Sequence, residues 1–201
     1  MTTRRLKADE RRKQILRCAI RVFARETYYG ATTKKIAEEA GITEALIYRH
    51  FGSKRALFLE GITLTASRLF TGVESIFRRD RDQPLEAIRN AVQYYVDSLE
   101  RHEDLAKMIF LVLAELDESD VREAYLPYQV AGLKLVADTM RHWHRKGYLI
   151  DGVETDPRSA AWLYYGTYLV LALVKQSHTD LQIDPEYALS LARPFFRPEC
   201  Q

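Results

Sequence analysis

The chain of 201 residues is long enough to bury a sizeable core, and its apolar content of 47% is that of an ordinary globular protein. Its two cysteines, Cys18 and Cys200, lie far apart without a CxxC spacing, so neither a disulfide framework nor a structural zinc site is predicted, and a reducing cytoplasm is favoured. No apolar stretch follows the charges at the N-terminus, which excludes a secretory signal. The longest apolar run, 159–174, is shorter than the ~20 residues that cross a bilayer, so we expect no membrane span.

The net charge of +2 is unevenly distributed. Residues 1–60 carry fourteen Lys and Arg against seven Asp and Glu, whereas the remaining residues carry sixteen against twenty-one. A basic first third joined to a mildly acidic remainder is typical of a polyanion-binding head on a body with another task. The alternative is a basic segment that is merely solvated.

The first predicted element is an amphipathic helix from about Asp9 to Glu26. Its apolar residues follow helical spacing on one face, and arginines occupy much of the rest. The apolar positions are Ile15, Cys18, Ala19, Val22 and Phe23. The tail before it, Thr2–Lys7, is expected to be disordered, and either touches a neighbouring minor groove or is simply solvated.

A short second helix is predicted from the threonines at 32 and 33, either of which can cap it. Its buried face is Ile36, Ala37 and Ala40. Gly41 ends this helix, because glycine tolerates the left-handed conformation that turns the chain sharply.

The third predicted helix is also short and runs from Glu44 to about His50, with Thr43 as its cap. Ile47 and Phe51 lie four residues apart and should face inward. Gly52 then ends the helix, Ser53 caps the next one, and Lys54 near that helix start is placed to hold phosphate. Two short helices joined by a glycine turn, with polar and basic residues outside, predict a helix-turn-helix for the major groove of DNA.

The stretch from Ala31 to Phe58 closely resembles the DNA-binding domain of the TetR family of transcriptional regulators. The matching residues are Thr33, Ile36, Ala37, Ala40, Gly41, Ile42, Tyr48, His50, Phe51, Ser53, Lys54 and Leu57. The resemblance implies an all-helical chain, a dimer and a recognition helix at Thr43 to His50. It also implies phosphate contacts from the positions of Thr33, Tyr48, His50 and Lys54.

Ala45 and Leu46 depart from the family pattern, because polar base-reading side chains are common at these places. Direct readout is therefore expected from Thr43, from Arg49 and from apolar contact with thymine methyl groups. The complete predicted DNA-binding set is Thr33, Lys34, Thr43, Glu44, Ala45, Leu46, Tyr48, Arg49, His50 and Lys54.

The rest of the chain also shows helical spacing, and no run of alternating β-branched residues indicates a sheet. Helices are predicted at about 53–79, 84–102, 104–116, 121–146, 157–178 and 185–193. The predicted fold is all-α with about nine helices. An N-terminal three-helix helix-turn-helix domain, residues 1–52, is joined to a C-terminal helical ligand-binding and dimerisation domain, residues 53–201, whose first helix, 53–79, links the two.

The second domain is rich in aromatic residues, and the resemblance implies a small-molecule pocket between its helices. Pro127, inside a long predicted helix, is expected to kink that helix and open room for a ligand. The predicted lining residues are Tyr94, Met108, Tyr125, Tyr128 and His142. The alternative is that these rings are ordinary packing residues.

The apolar helix from Trp162 to Val174 needs cover, and in a small domain the same helix of a second copy supplies it. The predicted dimer interface comprises Trp162, Tyr165, Leu169 and Leu173. The alternative is an internal helix of a monomer.

An enzyme is disfavoured, because the chain has no GxGxxG, GxxxxGK[ST], GxSxG or HExxH sequence. His142 and His144 do not share a helix face, so no metal site or cofactor is predicted. The alternative hypothesis is a helical adaptor protein that has the shape of a helix-turn-helix domain but does not bind DNA. The favoured hypothesis is a cytoplasmic, sequence-specific transcriptional regulator, foremost a repressor that binds a pseudo-palindromic operator as a homodimer and is released by a small apolar or aromatic effector.

Overall fold

The computed structural model describes residues 8–152, 157–177 and 184–200, with the backbone alone for 157–164 and 200. Within these ranges the chain forms nine α-helices and two 3-10 turns, which confirms the all-α class. The helices are α1 (Ala8–Gly30), α2 (Thr33–Ala40), α3 (Glu44–Phe51), α4 (Lys54–Arg79), α5 (Pro84–Arg101), α6 (Asp104–Ala114), α7 (Ser119–Arg145), α8 (Pro157–Ser177) and α9 (Pro185–Ala192). The extended pairing recorded in these ranges is one isolated antiparallel bridge between Leu149 and Phe196.

The helix ends follow local chemistry, and two predicted caps need correction. Thr32 alone caps α2, while Thr33 is the first helical residue and is buried. Thr43 occupies the N-cap position of α3, but its hydroxyl makes no capping hydrogen bond. Ser53 caps α4 as predicted, since its Oγ accepts from the backbone N–H of Ala56 at 3.0 Å. The predicted tail at 2–7, a cap at Asp156 and the helix end at His178 lie outside the described residues.

The chain divides into two compact units, and the division falls inside α4, α6 and α7. The first unit comprises residues 1–65 and 107–125, and the second comprises 66–106 and 126–201. Compactness does not test where a functional domain ends, so the predicted domains at 1–52 and 53–201 stay a prediction.

The first unit is built around one apolar core. Phe23 of α1, Ile36 of α2, Ile47 of α3 and Phe58 of α4 are each fully buried in it. Apolar residues of α6 and of the start of α7 complete the same core. Burial of these side chains therefore fixes α2 and α3 against a larger helical base.

The second unit has its own core, which Trp143 of α7 occupies together with Phe77 and Leu189. The indole N–H of Trp143 donates to the carbonyl of Arg81 at 2.8 Å. Next to it, His142 lies 2.7 Å from the carboxylate of Asp82. These two contacts anchor the turn between α4 and α5 to the C-terminal part of α7. Across the described part of the chain, no helix is long and apolar enough to traverse a lipid bilayer.

Candidate nucleic-acid interface

A tight turn joins α2 to α3. The Oγ of Thr32 accepts from the N–H of Lys35 at 3.2 Å and so satisfies a free donor at the start of α2. At the other end Gly41 has φ 63° and ψ 41°, the left-handed conformation. The N–H of Ile42 then reaches back to the carbonyl of Ala37 at 3.0 Å. Only glycine adopts this conformation without steric cost, so the predicted turn is present.

Two apolar residues set the orientation of α3. Ile47 and Phe51 are buried at 0% and 7% exposure, as their spacing predicted. The opposite side of the helix is open to solvent. Its exposed residues are Thr43, Glu44, Ala45, Tyr48 and Arg49, and Leu46 and His50 are half-buried. The predicted recognition segment therefore presents polar groups and one cation outward.

Arg12 of α1 braces the end of α3. Its guanidinium donates to the carbonyl of His50, pairs with Glu60 and lies 4.3 Å from the ring centroid of Phe51. Gln14 similarly donates to the carbonyl of Ala40 at 3.0 Å, at the end of α2. The sequence interpretation took the α1 arginines as an undifferentiated basic surface and missed these roles. No local signal marks contacts between residues 26 and 38 positions apart.

A small polar cluster lies where α2 meets the start of α3. The hydroxyl of Thr33 donates to the carboxylate of Glu44 and lies 3.2 Å from the hydroxyl of Tyr48. The structure thus brings together three residues of the predicted DNA-binding set. Thr43 at the N-terminus of α3 is exposed, and its hydroxyl is not used as a cap.

Lys54 holds the corner before α2 instead of projecting freely. Its ammonium donates to the carbonyls of Tyr28 and Ala31, both at 2.9 Å, and lies 4.5 Å from the Tyr28 ring centroid. An ammonium has three protons, so one remains for a phosphate. Sequence reasoning placed Lys54 at the interface and did not foresee this structural role.

The cations around this surface fall into two groups. Lys34 and Arg49 are exposed and make no ion pair within the described ranges. Lys35, in contrast, pairs with Glu26, and Arg21 pairs with Glu39 at 3.0 Å. The first group has its charge available to an external polyanion, while the second holds α1 and α2 together.

The predicted ligand-lining residues are distributed over both units. Met108 is fully buried and Tyr125 is partly buried in the first unit, where desolvation raises the pKa of the Tyr125 phenol. Tyr94 and His142 belong to the second unit, together with Tyr128. Tyr94 donates to the carbonyl of Arg68 at 3.1 Å, and His142 is held by Asp82. Their role in binding a ligand stays a prediction.

The predicted interface residues of α8 differ in exposure. Leu169 and Leu173 are 43% and 54% exposed, and Val170 beside them is 56% exposed. Tyr165 is half-buried and donates to the carbonyl of Gln129 at 2.7 Å. The side chain of Trp162 lies outside the described residues. An apolar stripe on α8 therefore faces solvent in the single chain.

The helices α2 and α3 and the glycine turn between them form a helix-turn-helix. This motif defines the class of protein. Residues 15–60 match the sequence model of "Bacterial regulatory proteins, tetR family". A crystal structure of a TetR-family transcriptional regulator from Agrobacterium tumefaciens has the same fold, with a TM-score of 0.80 and 17% identity, over 95% of this chain and 100% of that one. Residues 15–60 are thus similar to the tetR family of bacterial regulators, and the described helices share the fold of a solved member of that family.

Two curated transcriptional regulators are also similar to this chain. The transcriptional activator FasR of Mycolicibacterium smegmatis is 34% identical over 106 residues, which are 53% of this chain and 48% of FasR. The transcriptional repressor NicS of Pseudomonas putida is 32% identical over 103 residues, 51% of this chain and 48% of NicS. The matched segment of the chain covers about half of the full length of each relative. Both relatives are regulators of transcription.

Proposed function

We propose that this protein is a sequence-specific DNA-binding transcriptional regulator whose α3 enters the major groove. The observation that carries the proposal is the orientation of α3. Ile47 and Phe51 anchor one side, and the other side offers Thr43, Tyr48 and Arg49 to solvent. A short helix held in this way, at the end of a glycine turn, has the size and polarity that a major groove admits.

The predicted DNA-binding residues divide by the part of the duplex that they suit. Hydroxyls and cations bind phosphate and fix the register on the duplex, a role we assign to Thr33, Lys34, Tyr48, His50 and Lys54. Base edges are read from the first turns of the recognition helix, a role we assign to Thr43, Glu44, Ala45, Leu46 and Arg49. Arg49 is the residue suited to a guanine, because a guanidinium donates to two acceptors at once.

A homodimer is the second part of the proposal. Leu169, Val170 and Leu173 on α8 are apolar and exposed, and burial against a second copy removes them from water. Together with Trp162 and Tyr165 they form the proposed interface. Two copies related by a two-fold axis present two α3 helices, which match a pseudo-palindromic operator.

The third part concerns the response to an effector. A small apolar or aromatic molecule that prefers one arrangement of the dimer over another shifts the population and changes operator occupancy. We favour repression that is relieved by the effector. NicS is a repressor and FasR an activator, so the same head serves either direction. Because the proposed target is chromosomal DNA, we place the protein in the cytoplasm.

Salt dependence of binding tests the proposal. In a gel-shift titration with duplex fragments of the source genome, we expect the affinity to fall by several log units per log of salt, because each neutralised phosphate releases counterions. The variant Lys34→Ala removes one exposed cation. It should therefore lower the slope of log affinity against log salt concentration by about one per head. Absent binding, or binding that salt does not weaken, would contradict the proposal and favour a helical adaptor.

A further inference from the structure

Glu44 places a negative charge on the surface that we propose faces DNA. It is the first residue of α3, it is exposed, and it makes no ion pair with Lys or Arg among the described residues. Its recorded partner is a neutral group, the hydroxyl of Thr33. That hydroxyl lies 3.2 Å from the hydroxyl of Tyr48. The Glu44 carboxylate thus accepts the hydrogen bond of the Thr33 hydroxyl, a group that we assign to phosphate contact.

An uncompensated carboxylate at this position opposes binding to any duplex. It repels phosphates directly, and it also holds the proton that Thr33 would otherwise offer to a phosphate oxygen. Both effects are independent of sequence. A compensating gain arises only where the groove offers the carboxylate a hydrogen-bond donor.

The bases differ in that respect. An ionised carboxylate only accepts hydrogen bonds. In the major groove, guanine presents two acceptors and thymine an acceptor and a methyl group, so neither suits Glu44. Adenine presents a donor beside the N7 acceptor, which repels a carboxylate. Cytosine presents its N4 amino group and no acceptor of its own in the groove, with the O6 of its paired guanine on one side only, and is the base edge that a glutamate matches.

We propose that Glu44 is a specificity-determining residue that reads a cytosine in each half-site and otherwise stays on Thr33. The inference rests on the proposed function of α3 in DNA recognition. At a matching site the carboxylate leaves Thr33 for the cytosine amino group, which frees the hydroxyl of Thr33 for phosphate. At a mismatched site the carboxylate remains on Thr33, and one phosphate contact per head is withheld. The same side chain therefore favours the correct site and weakens binding to the others.

The test compares Glu44→Gln and Glu44→Ala with the wild-type chain by selection from a pool of randomised duplexes, followed by titration with random duplex. Glu38→Gln is the matched control, because Glu38 is an exposed glutamate of α2 that lies about 140° around the helix from Thr33. Thermal unfolding of all four proteins shows whether the fold is retained.

We expect cytosine enrichment at one position per half-site for the wild type and a drop of about fivefold or more in that preference for Glu44→Ala. Glu44→Gln should shift the preference towards adenine, because an amide matches both the donor and the acceptor of that base. Both variants should bind random duplex about three to ten times more tightly at low salt. Glu38→Gln should retain the wild-type base preference and change random binding less than twofold.

Two results would overturn the inference alone. The first is wild-type binding to DNA with no change in base preference in either Glu44 variant. The second is a loss of affinity for all duplexes in parallel with a lower unfolding temperature, which would make Glu44 a purely structural residue. Failure of the wild-type chain to bind any duplex would overturn the proposed function, and this inference with it.

Discussion

Thr27 interrupts α1 with a backbone conformation, φ 60° and ψ 176°, that is ordinarily restricted to glycine. The side chain is exposed, so packing does not require a threonine at this position. The carbonyl of Thr27 accepts from the N–H of Ala31 at 3.2 Å, which fixes the corner that leads into α2. The fold thus tolerates local strain in order to direct the chain from α1 to the helix-turn-helix.

Replacement of Thr27 by glycine should stabilise the protein. Relief of strain at such a residue is worth about 1–3 kcal/mol, and the extra freedom of glycine in the unfolded chain costs about 0.5–1 kcal/mol. We expect a net gain of about 1 kcal/mol and a rise in Tm of about 2–4 °C in thermal unfolding. Thr27→Ala is the control, since alanine keeps the strained backbone. A glycine variant that melts no higher than the alanine variant would show that the conformation carries no strain.

At the residue scale, the sequence identified positions better than it identified contacts. The glycine at 41 could be placed because its conformation is local and belongs to one residue type. Thr33 and Lys54 were predicted to contact phosphate, but their partners within the chain could not be foreseen. Those partners depend on where separate helices meet, which periodicity does not encode.

The start of α4 is joined to the start of α7 by an ion pair within the first unit. The Nε of Arg55 donates to the carboxylate of Asp120 at 2.7 Å, and a second hydrogen bond makes the pair bidentate. The same guanidinium lies 5.0 Å from the ring centroid of Tyr28, just before α2. The pair therefore ties α4, α7 and the corner before the helix-turn-helix together.

Asp120→Asn should lower the stability of the first unit. The Arg55 guanidinium lowers the pKa of the Asp120 carboxyl below its ordinary value of 3.8. A lowered folded-state pKa stabilises the fold above the ordinary pKa, and the effect is lost as pH falls through the folded value. We expect Tm to fall by a few degrees at pH 7, and the difference from wild type to vanish as the pH falls through the lowered folded-state pKa of Asp120.

Asp117→Asn is the matched control for this pair, because Asp117 is an exposed aspartate three residues earlier whose carboxylate forms no ion pair within the part of the chain that the structure describes. It should leave Tm close to the wild-type value at both pH values. Equal shifts for the two variants, or a shift for Asp120→Asn that persists at low pH, would contradict a specific role of the Arg55 pair.

At the element scale, the sequence predicted most helices because their signals are local. The proline at 84 begins α5 and the glycine at 147 follows the end of α7, each for a reason of backbone geometry. The Arg55 pair joins residues 65 positions apart, and the contact of His142 with Asp82 joins residues 60 apart. Neither contact could be predicted, since many charged residues compete for each partner.

At the scale of the whole molecule, the chain carries both a basic N-terminal head, residues 1–60, and an apolar stripe on α8. The excess of positive charge in residues 1–60 attracts a polyanion without regard to sequence. Leu169 and Leu173 provide exposed apolar surface, which we propose that a second copy covers. In the proposed dimer, the binding of two heads to one duplex would multiply the weak base discrimination of each head, so we expect a symmetric site to be preferred over a single half-site.

Selection of bound fragments from the source genome tests this central claim most directly. We predict enrichment of a pseudo-palindrome whose half-site centres lie about 34 Å or a multiple apart, bound by at least two protomers. Arg49→Ala should relax the preference at one base pair of each half-site while retaining salt-dependent binding to random duplex. Fragments without two-fold symmetry, or a single protomer on each selected site, would contradict the account.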